Sequence, residues 1–366
     1  MTTTIEPSVP PSVPPSAAPR RTVDWLGLVR AALPAVARWA AALIGALLIF
    51  SALIMLRGAD PLTVFPDLIV STFTHPRPVS EIFITMAPLV LAALAVVVPA
   101  RAGMANVGGE GQVMLGAIAA CGVGLWLDTS MPGTVVLVLM VLAGMLAGAA
   151  WAGIAGLLRL VFKVNEAVST LLLNFVAIDL LSFLIYQSWR ESNAGQPTTR
   201  ELDPGARLPL IPGTEVTIGV IIAVLATVII FLLLSYTRWG FRLSVVGGNQ
   251  EAARRAGMPV AILLLSALLV GGALAGLAGV VEFAGIENKL RPGFGTQIGY
   301  VGFLASWLAR HKPIPVLISA FVLAALAVAG SSLQLDANLP AATISILTAL
   351  ILAAVLGWTQ RKGKKL

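Results

Sequence analysis

Charge is what this chain has least of. Only 11% of its 366 residues are Asp, Glu, Lys or Arg, whereas 58% are hydrophobic and the mean hydropathy is +0.92. A water-soluble domain of this length could not hide so much apolar surface in one core, so the sequence reads as a membrane protein. Cys121 is the single cysteine and lies in an apolar stretch; an intramolecular disulfide is excluded, and a small buried side chain is expected there. The two histidines, His75 and His311, are far apart and lack paired ligands, so no metal site is expected. No GxxxxGK[ST] phosphate loop occurs, and the GGEGQ run at 108–112 lacks the lysine and hydroxyl of one. With no partner acid, histidine cluster or nucleophile near Glu110, a catalytic role for it is not expected, and any ATP hydrolysis belongs to another chain. No basic start followed by a short apolar core and a small-residue cleavage site is seen, so no cleavable signal peptide is expected.

What is present is a series of apolar runs near 36–56, 82–100, 107–127, 133–158, 165–187, 215–236, 260–283, 293–309, 313–330 and 340–358. They predict an all-α, polytopic membrane bundle of about ten helices. With ten crossings and a cytoplasmic N-terminus, seventeen of the 24 Lys and Arg residues fall on the inner side, which favours both termini cytoplasmic. The net charge of +7 follows from that topology, so lipid headgroups rather than nucleic acid are the expected partner of the Arg361–Lys365 tail. The domain reading is a disordered cytosolic tail over 1–22, with six prolines in its first twenty residues, a transmembrane domain over 23–358 and a basic tail over 359–366.

Three polar segments interrupt the apolar pattern. The stretch 57–80 is expected to be a partly structured external loop, and 188–214 the largest external feature, either resting on a soluble partner or acting as a plain connector. The third, 237–259, falls on the cytoplasmic side. Within it Asn249 can cap a short helix of good formers that Gly257 and Pro259 end, giving a stiff interfacial element whose small residues suit docking. Gly144, Gly148 and Gly153, and then Gly272, Ala275, Gly276 and Gly279, recur at helix-packing intervals and predict close backbone contacts within the bundle.

Polar chemistry enters the apolar runs at three places. Arg101 to Gln112 carries Asn106, Glu110 and Gln112, with three glycines around the acid, and predicts a broken or re-entrant backbone, tolerable only against protein or a wet cavity. Glu110 could pair with Arg101 or cap a helix start, while Asn106 and Gln112 could satisfy backbone groups; bracing and solute contact are both open. In the second cluster Glu166, Ser169 or Thr170, and Asn174 fall on one helix face, with Asp179 beyond, and that face should look toward the bundle or a path. Asn174 and Asp179 are pathway candidates, whereas Lys163 and Glu166 read as interfacial. In the third, charges gather around Pro292–Gly293 before Gln297 opens an apolar helix much as Gln112 does, which suggests a repeat of 82–187 in 260–358.

These blocks resemble the permease subunits of bacterial ABC importers for simple sugars, branched-chain amino acids and, most closely, nucleosides. The segment from Gly103 through Asn106 and Glu110 to Gln112 resembles the family's opening signature, Asn165–Asn174 its middle block, and Gly248–Met258 its cytoplasmic coupling segment. The resemblance spans about 80–358. It implies that Gly248, Asn249, Glu251, Ala252, Ala253 and Gly257 meet ABC ATPase subunits, which would hold ATP and Mg2+ while this chain binds no cofactor. It further implies an extracytoplasmic solute-binding protein on the outer loops, a second permease subunit that is commonly a different chain, and a place in the bacterial inner membrane. An ion-coupled secondary transporter using Glu110 and Asp179 is the alternative from another class. A membrane scaffold or enzyme subunit is a third, disfavoured by the missing catalytic set.

Overall fold

The computed structural model describes residues 60–127, 130–192 and 195–336, pieces between 44 and 58, and the isolated positions 346 and 349. The tails 1–22 and 359–366, the start of the run at 36–56 and nearly all of 340–358 lie outside the described residues.

Long apolar runs fold as helices because only intrasegment hydrogen bonds satisfy the backbone in lipid. In chain order these are α1 (Leu47–Leu56), α2 (Pro61–Phe73), α3 (Pro76–Arg101), α4 (Gly109–Leu127), α5 (Gly133–Phe162), α6 (Glu166–Tyr186), α7 (Gly219–Tyr236), α8 (Arg238–Gly248), α9 (Gln250–Arg255), α10 (Val260–Glu282), α11 (Ile298–Leu308) and α12 (Pro313–Asp336). Among the described residues seven of these are long and apolar enough to cross a membrane, and eight spans result if α1 and α2, bent by 110°, are one broken crossing. Two expectations change at this point. The run at 293–309 is not a full crossing: 293–297 is turn and α11 has only 11 residues. The segment 57–80, read as a loop, holds α2, which Asp60 caps through its side chain.

α3 is the central helix, buried without a break from Met86 to Pro99. α10 packs beside it, and the glycine spacing explains how closely α10 meets α5 and α4. A Cβ on Gly276 would overlap the Gly144 carbonyl, one on Gly148 the Gly272 carbonyl, and one on Gly116 the Gly276 carbonyl. Backbones in van der Waals contact supply the association energy that apolarity alone cannot provide in lipid.

α7 joins the loop 187–218 to α8, and its 18 residues span about 27 Å, so the two polar features lie at opposite ends of the bundle. At the α8 end the chain turns from α3 toward α4. At the loop end α10 passes into a π-helical turn, Phe283–Glu287, and Asn288 follows at φ 57°.

Candidate translocation core and coupling helices

The break between α3 and α4 does not run along the surface. Asn106 Nδ2 donates to the Ala95 carbonyl at 3.2 Å, six residues back from the end of α3, so the chain re-enters the bundle by about 9 Å before α4 begins. Asn106 and Gln112 form a reciprocal amide pair at 3.0 and 2.9 Å, and Asn106 Oδ1 also accepts from Gly108 N at 3.1 Å. Both side chains are fully buried. Irregular backbone at this depth must find its partners in protein, and these two amides supply several of them.

The predicted face of α6 supplies the rest. Glu166 Oε1 accepts from Ala105 N at 3.3 Å, Thr170 Oγ1 from Val107 N at 3.3 Å, and Asn174 Oδ1 from Gly111 N at 2.9 Å. Asn174 Nδ2 donates to the Val107 carbonyl at 3.0 Å and to Tyr300 Oη at 3.2 Å. Glu166 is buried and ion-paired with Arg159 rather than exposed like Lys163.

Glu110 is 1% exposed and does not pair with Arg101, which is exposed at the helix end. Its carboxylate instead accepts from Gln297 N at 2.5 Å and Gly299 N at 2.8 Å, the entry residue and first turn of α11. Two helix N-termini therefore meet at one carboxylate, where both macrodipoles favour negative charge. Gly299 makes the meeting possible, because a Cβ there would overlap the Glu110 backbone. Gln297 contributes its amide N–H while its side chain is exposed.

Asp179 is not part of this assembly. It is exposed on α6 beside the exposed apolar side chains Phe175, Val176 and Phe183. The contributions of Arg159, Gly299 and Tyr300 were not anticipated; for Arg159 the signal available was an acid opening α6 seven residues after an arginine that ends α5.

At the opposite end from loop 187–218, Asn249 Oδ1 accepts from Ala252 N at 2.9 Å and starts α9 as its spacing predicted, and Gly257 ends it at φ 77°. Glu251 is exposed and holds Arg254 and Arg255 at 3.0 and 3.2 Å; Gly248 and Ala252 are exposed as well. Ala253 differs from the exposure expected of the segment's small residues: it is fully buried in the core, and Ala252 and Ala256 are the exposed small ones. α8 joins this element to the core. Trp239 Nε1 donates to Ser266 Oγ of α10 at 3.0 Å, and Gly247 lies against the turn at 101–103 so closely that a Cβ would overlap the Arg101 carbonyl.

Two groups outside the spans have shifted protonation. Arg291 is held above its ordinary range by its hydrogen bonds to Glu287, and burial lowers His311, whose Nδ1 bonds Ser306 Oγ at 2.9 Å. Among the described residues no group of three His, Cys, Asp or Glu residues could hold a metal ion.

A bundle of membrane-length helices with a buried polar brace around a broken backbone and a short helix pair at one end defines a multi-spanning membrane protein. Residues 79–358 match the family described as the permease component of the branched-chain amino acid transport system, and this chain belongs to it. It is thus a non-catalytic permease subunit of an ABC-type transporter for small polar solutes, and the family implies an ATPase and a binding protein as partners. The chain is similar to the glucose ABC transporter permease protein TsgB13 of Haloferax volcanii, 36% identical with 91% of this chain and 88% of that one covered. It is similar also to the nucleoside ABC transporter permease protein NupB of Lactococcus lactis (29% identical; 83% and 86% covered) and the guanosine ABC transporter permease protein NupP of Bacillus subtilis (30%; 76% and 80%).

Proposed function

We propose that this chain is the translocating subunit of an ATP-driven importer of nucleosides in a bacterial inner membrane, with both termini cytoplasmic. The observation that carries the reading is the packing of Gly247 on the backbone of 101–103, which makes α8 and α9 one mechanical unit with the braced break. ATP can shift the path only if nucleotide binding favours one permease state over another, and that needs a physical link. Force received at Gly248, Asn249, Glu251, Ala252 and Gly257 passes through α8 to the 101–112 backbone, and from Glu110 to the N-terminus of α11.

The solute path lies where polar groups face outward from the chain. Asp179 stands on an exposed apolar face of α6, and a lone carboxylate facing hydrocarbon is costly. A second permease subunit, of a different sequence, covers this face and leaves a hydrated route along it. Asn106, Glu110, Gln112 and Asn174 brace that route, and Gln297 presents its side chain to it. Neutral solutes suit a bundle in which half-buried Arg159 is already paired with Glu166. A simple sugar is the second reading, favoured by the similarity to a glucose permease.

The test is coupled transport in proteoliposomes holding this chain, its permease partner, the ATPases and the binding protein. Replacing exposed Ala252 with Trp, or Glu251 with Ala, should lower solute-stimulated ATP hydrolysis and uptake by tenfold or more while membrane insertion and stability are kept, since both positions are exposed. Uptake that persists without ATP, or that follows an ion gradient, would overturn the reading in favour of an ion-coupled transporter.

A further inference from the structure

α11 begins halfway through the bundle. Gly302 packs on Ala92 so closely that a Cβ would overlap it, and Ala92 lies about 14 Å of helix before α3 ends at Arg101. The 19 residues Pro313–Ser331 of α12 span about 28 Å and bring Ser331 to a cleft beside Glu81, near the start of α3, so the turn between α11 and α12 lies at the other end. α11 therefore leads from mid-membrane to the end that carries α8. Val301 and Leu304 pack against the core, whereas Tyr300, Phe303 and Trp307, at spacings of three and four, share one outward face. All three are partly exposed, Trp307 by 41%. The rings of Phe303 and Trp307 lie 6.1 Å apart, and His311 continues the row edge-on to Trp307 at 5.4 Å.

This face is unlike one that meets lipid. The exposed large side chains of α5 and α7 are aliphatic up to the last residue of each helix, Phe162 and Tyr236, as expected where a helix crosses hydrocarbon and ends at the headgroups. α11 instead carries a tyrosine in its first turn, at mid-depth. At its head the Gln297 side chain is exposed, and its carboxamide has no hydrogen-bond partner among the described residues. A free carboxamide turned to hydrocarbon is costly, so this face is wet or holds a polar ligand. Tyr300 Oη accepts from Asn174 Nδ2 at 3.2 Å, which leaves its own proton to donate and sets the row of rings beside α6 and the route along it. A lipid chain would leave the amide unpaired, and an ion would find no charged side chain in 297–307. A flat ring with polar groups on its edge satisfies both the amide and the rings.

We propose that Tyr300, Phe303 and Trp307 form a stacking track on which the base of a transported nucleoside moves from mid-membrane toward the cytoplasm, with Gln297 pairing to the base edge at its head. Every base has a flat π-face, so the track accepts purines and pyrimidines alike, and successive rings let the base leave one before it is free of the next. The inference rests on the importer reading, and the experiment separates the two.

The assembled importer in proteoliposomes is given labelled guanosine, with labelled glucose measured alongside, and 8-azidoguanosine is irradiated during turnover to map the residues it reaches. Label is expected within 297–307. Phe303→Leu and Trp307→Leu should each slow ATP-driven guanosine uptake about fivefold or more, while Phe303→Tyr and Trp307→Phe, which keep a ring, should stay within about twofold of the wild type. Gln297→Gly, which suits the φ of 76° and removes the carboxamide, should also slow uptake. Label absent from α11, leucine variants as fast as the wild type, or ring-keeping variants as slow as the leucine ones overturn the proposal, the last in favour of a packing role. Uptake of glucose but not guanosine overturns it in favour of a sugar path, and labelling of these residues by a photoactivatable phospholipid in favour of a lipid-facing helix. If wild-type guanosine uptake needs ATP while the label misses α11, only the track falls; if that uptake proceeds without ATP, the importer reading falls and the track with it.

Discussion

Between α3 and α4 the irregular backbone of 102–108 is held by side chains from α4 and α6, whereas between α10 and α11 that of 288–297 relies chiefly on backbone and local turns. In the first, Asn106, Gln112, Glu166, Thr170 and Asn174 each reach a main-chain group or one another. In the second, Thr199 pairs with Leu290, Leu202 N meets the Asn288 carbonyl, and the Asn288 carboxamide oxygen has no partner among the described residues. Depth explains the contrast. A break at mid-bundle has no water to satisfy its amides, so side chains must do it; a break whose turns satisfy their own amides needs fewer of them.

The two breaks join where Glu110 receives the start of α11, and the largest effect is expected there. Gly299→Ala should force α4 and α11 apart, because the new methyl overlaps the Glu110 backbone; a loss of about 3 kcal/mol or failure to assemble is expected. Gly293→Ala, in the outer break at φ 80° with Thr296 Oγ1 no nearer than 3.6 Å, should cost only about 1 kcal/mol of backbone strain. Thermal unfolding in detergent measures both, and equal losses would erase the distinction.

Next in size is the pair Glu110→Ala and Glu287→Ala. The first strands two buried N–H donors and should destabilise by about 2–4 kcal/mol. The second breaks a bidentate but partly exposed pair with Arg291 at 2.7 and 2.8 Å and should cost less than about 1 kcal/mol. Asn174→Leu follows at about 2 kcal/mol, since it strands the Gly111 N–H and the Val107 carbonyl. If Glu110→Ala unfolds no earlier than Glu287→Ala, bracing is not its role.

Much of the braced break was legible in the sequence because its signals are local. Glycines flanking an acid predicted the interruption, and the spacing of Glu166, Thr170 and Asn174 predicted one face of α6. The loop helix after Asn249 was legible for the same reason, as cap and stop residues act within a turn. What could not be read was long-range: that Glu110 would turn to Gln297 and Gly299 across 187 and 189 positions rather than to nearby Arg101. Ala253 was misplaced because a six-residue helix has too few positions to show which side faces the bundle. The apolar run before residue 309 looked like a crossing because hydropathy cannot tell a half-helix preceded by glycine turns from a full span.

α11 is held at its far end too, and there the comparison can be sharpened by pH. Ser319 Oγ donates to the Ala305 carbonyl at 2.8 Å, and His311, at φ 54°, bonds Ser306 and packs edge-on against Trp307. Burial lowers the His311 pKa from its ordinary value near 6.5, so as pH falls through that value the unfolded chain takes up a proton before the folded one does. Stability should therefore be flat above about pH 7 and decline below about pH 6.5, by less than any of the losses expected at Glu110, Asn174 or Gly299. His311→Asn keeps a residue suited to the left-handed backbone and removes the titration, so the decline attributable to this end of α11 should vanish in the variant and show in the difference between the two unfolding profiles. A difference that stays constant from about pH 8 to about pH 5 would mean that His311 adds no pH-dependent support to this end of α11, which would then rest on the Ser319–Ala305 hydrogen bond.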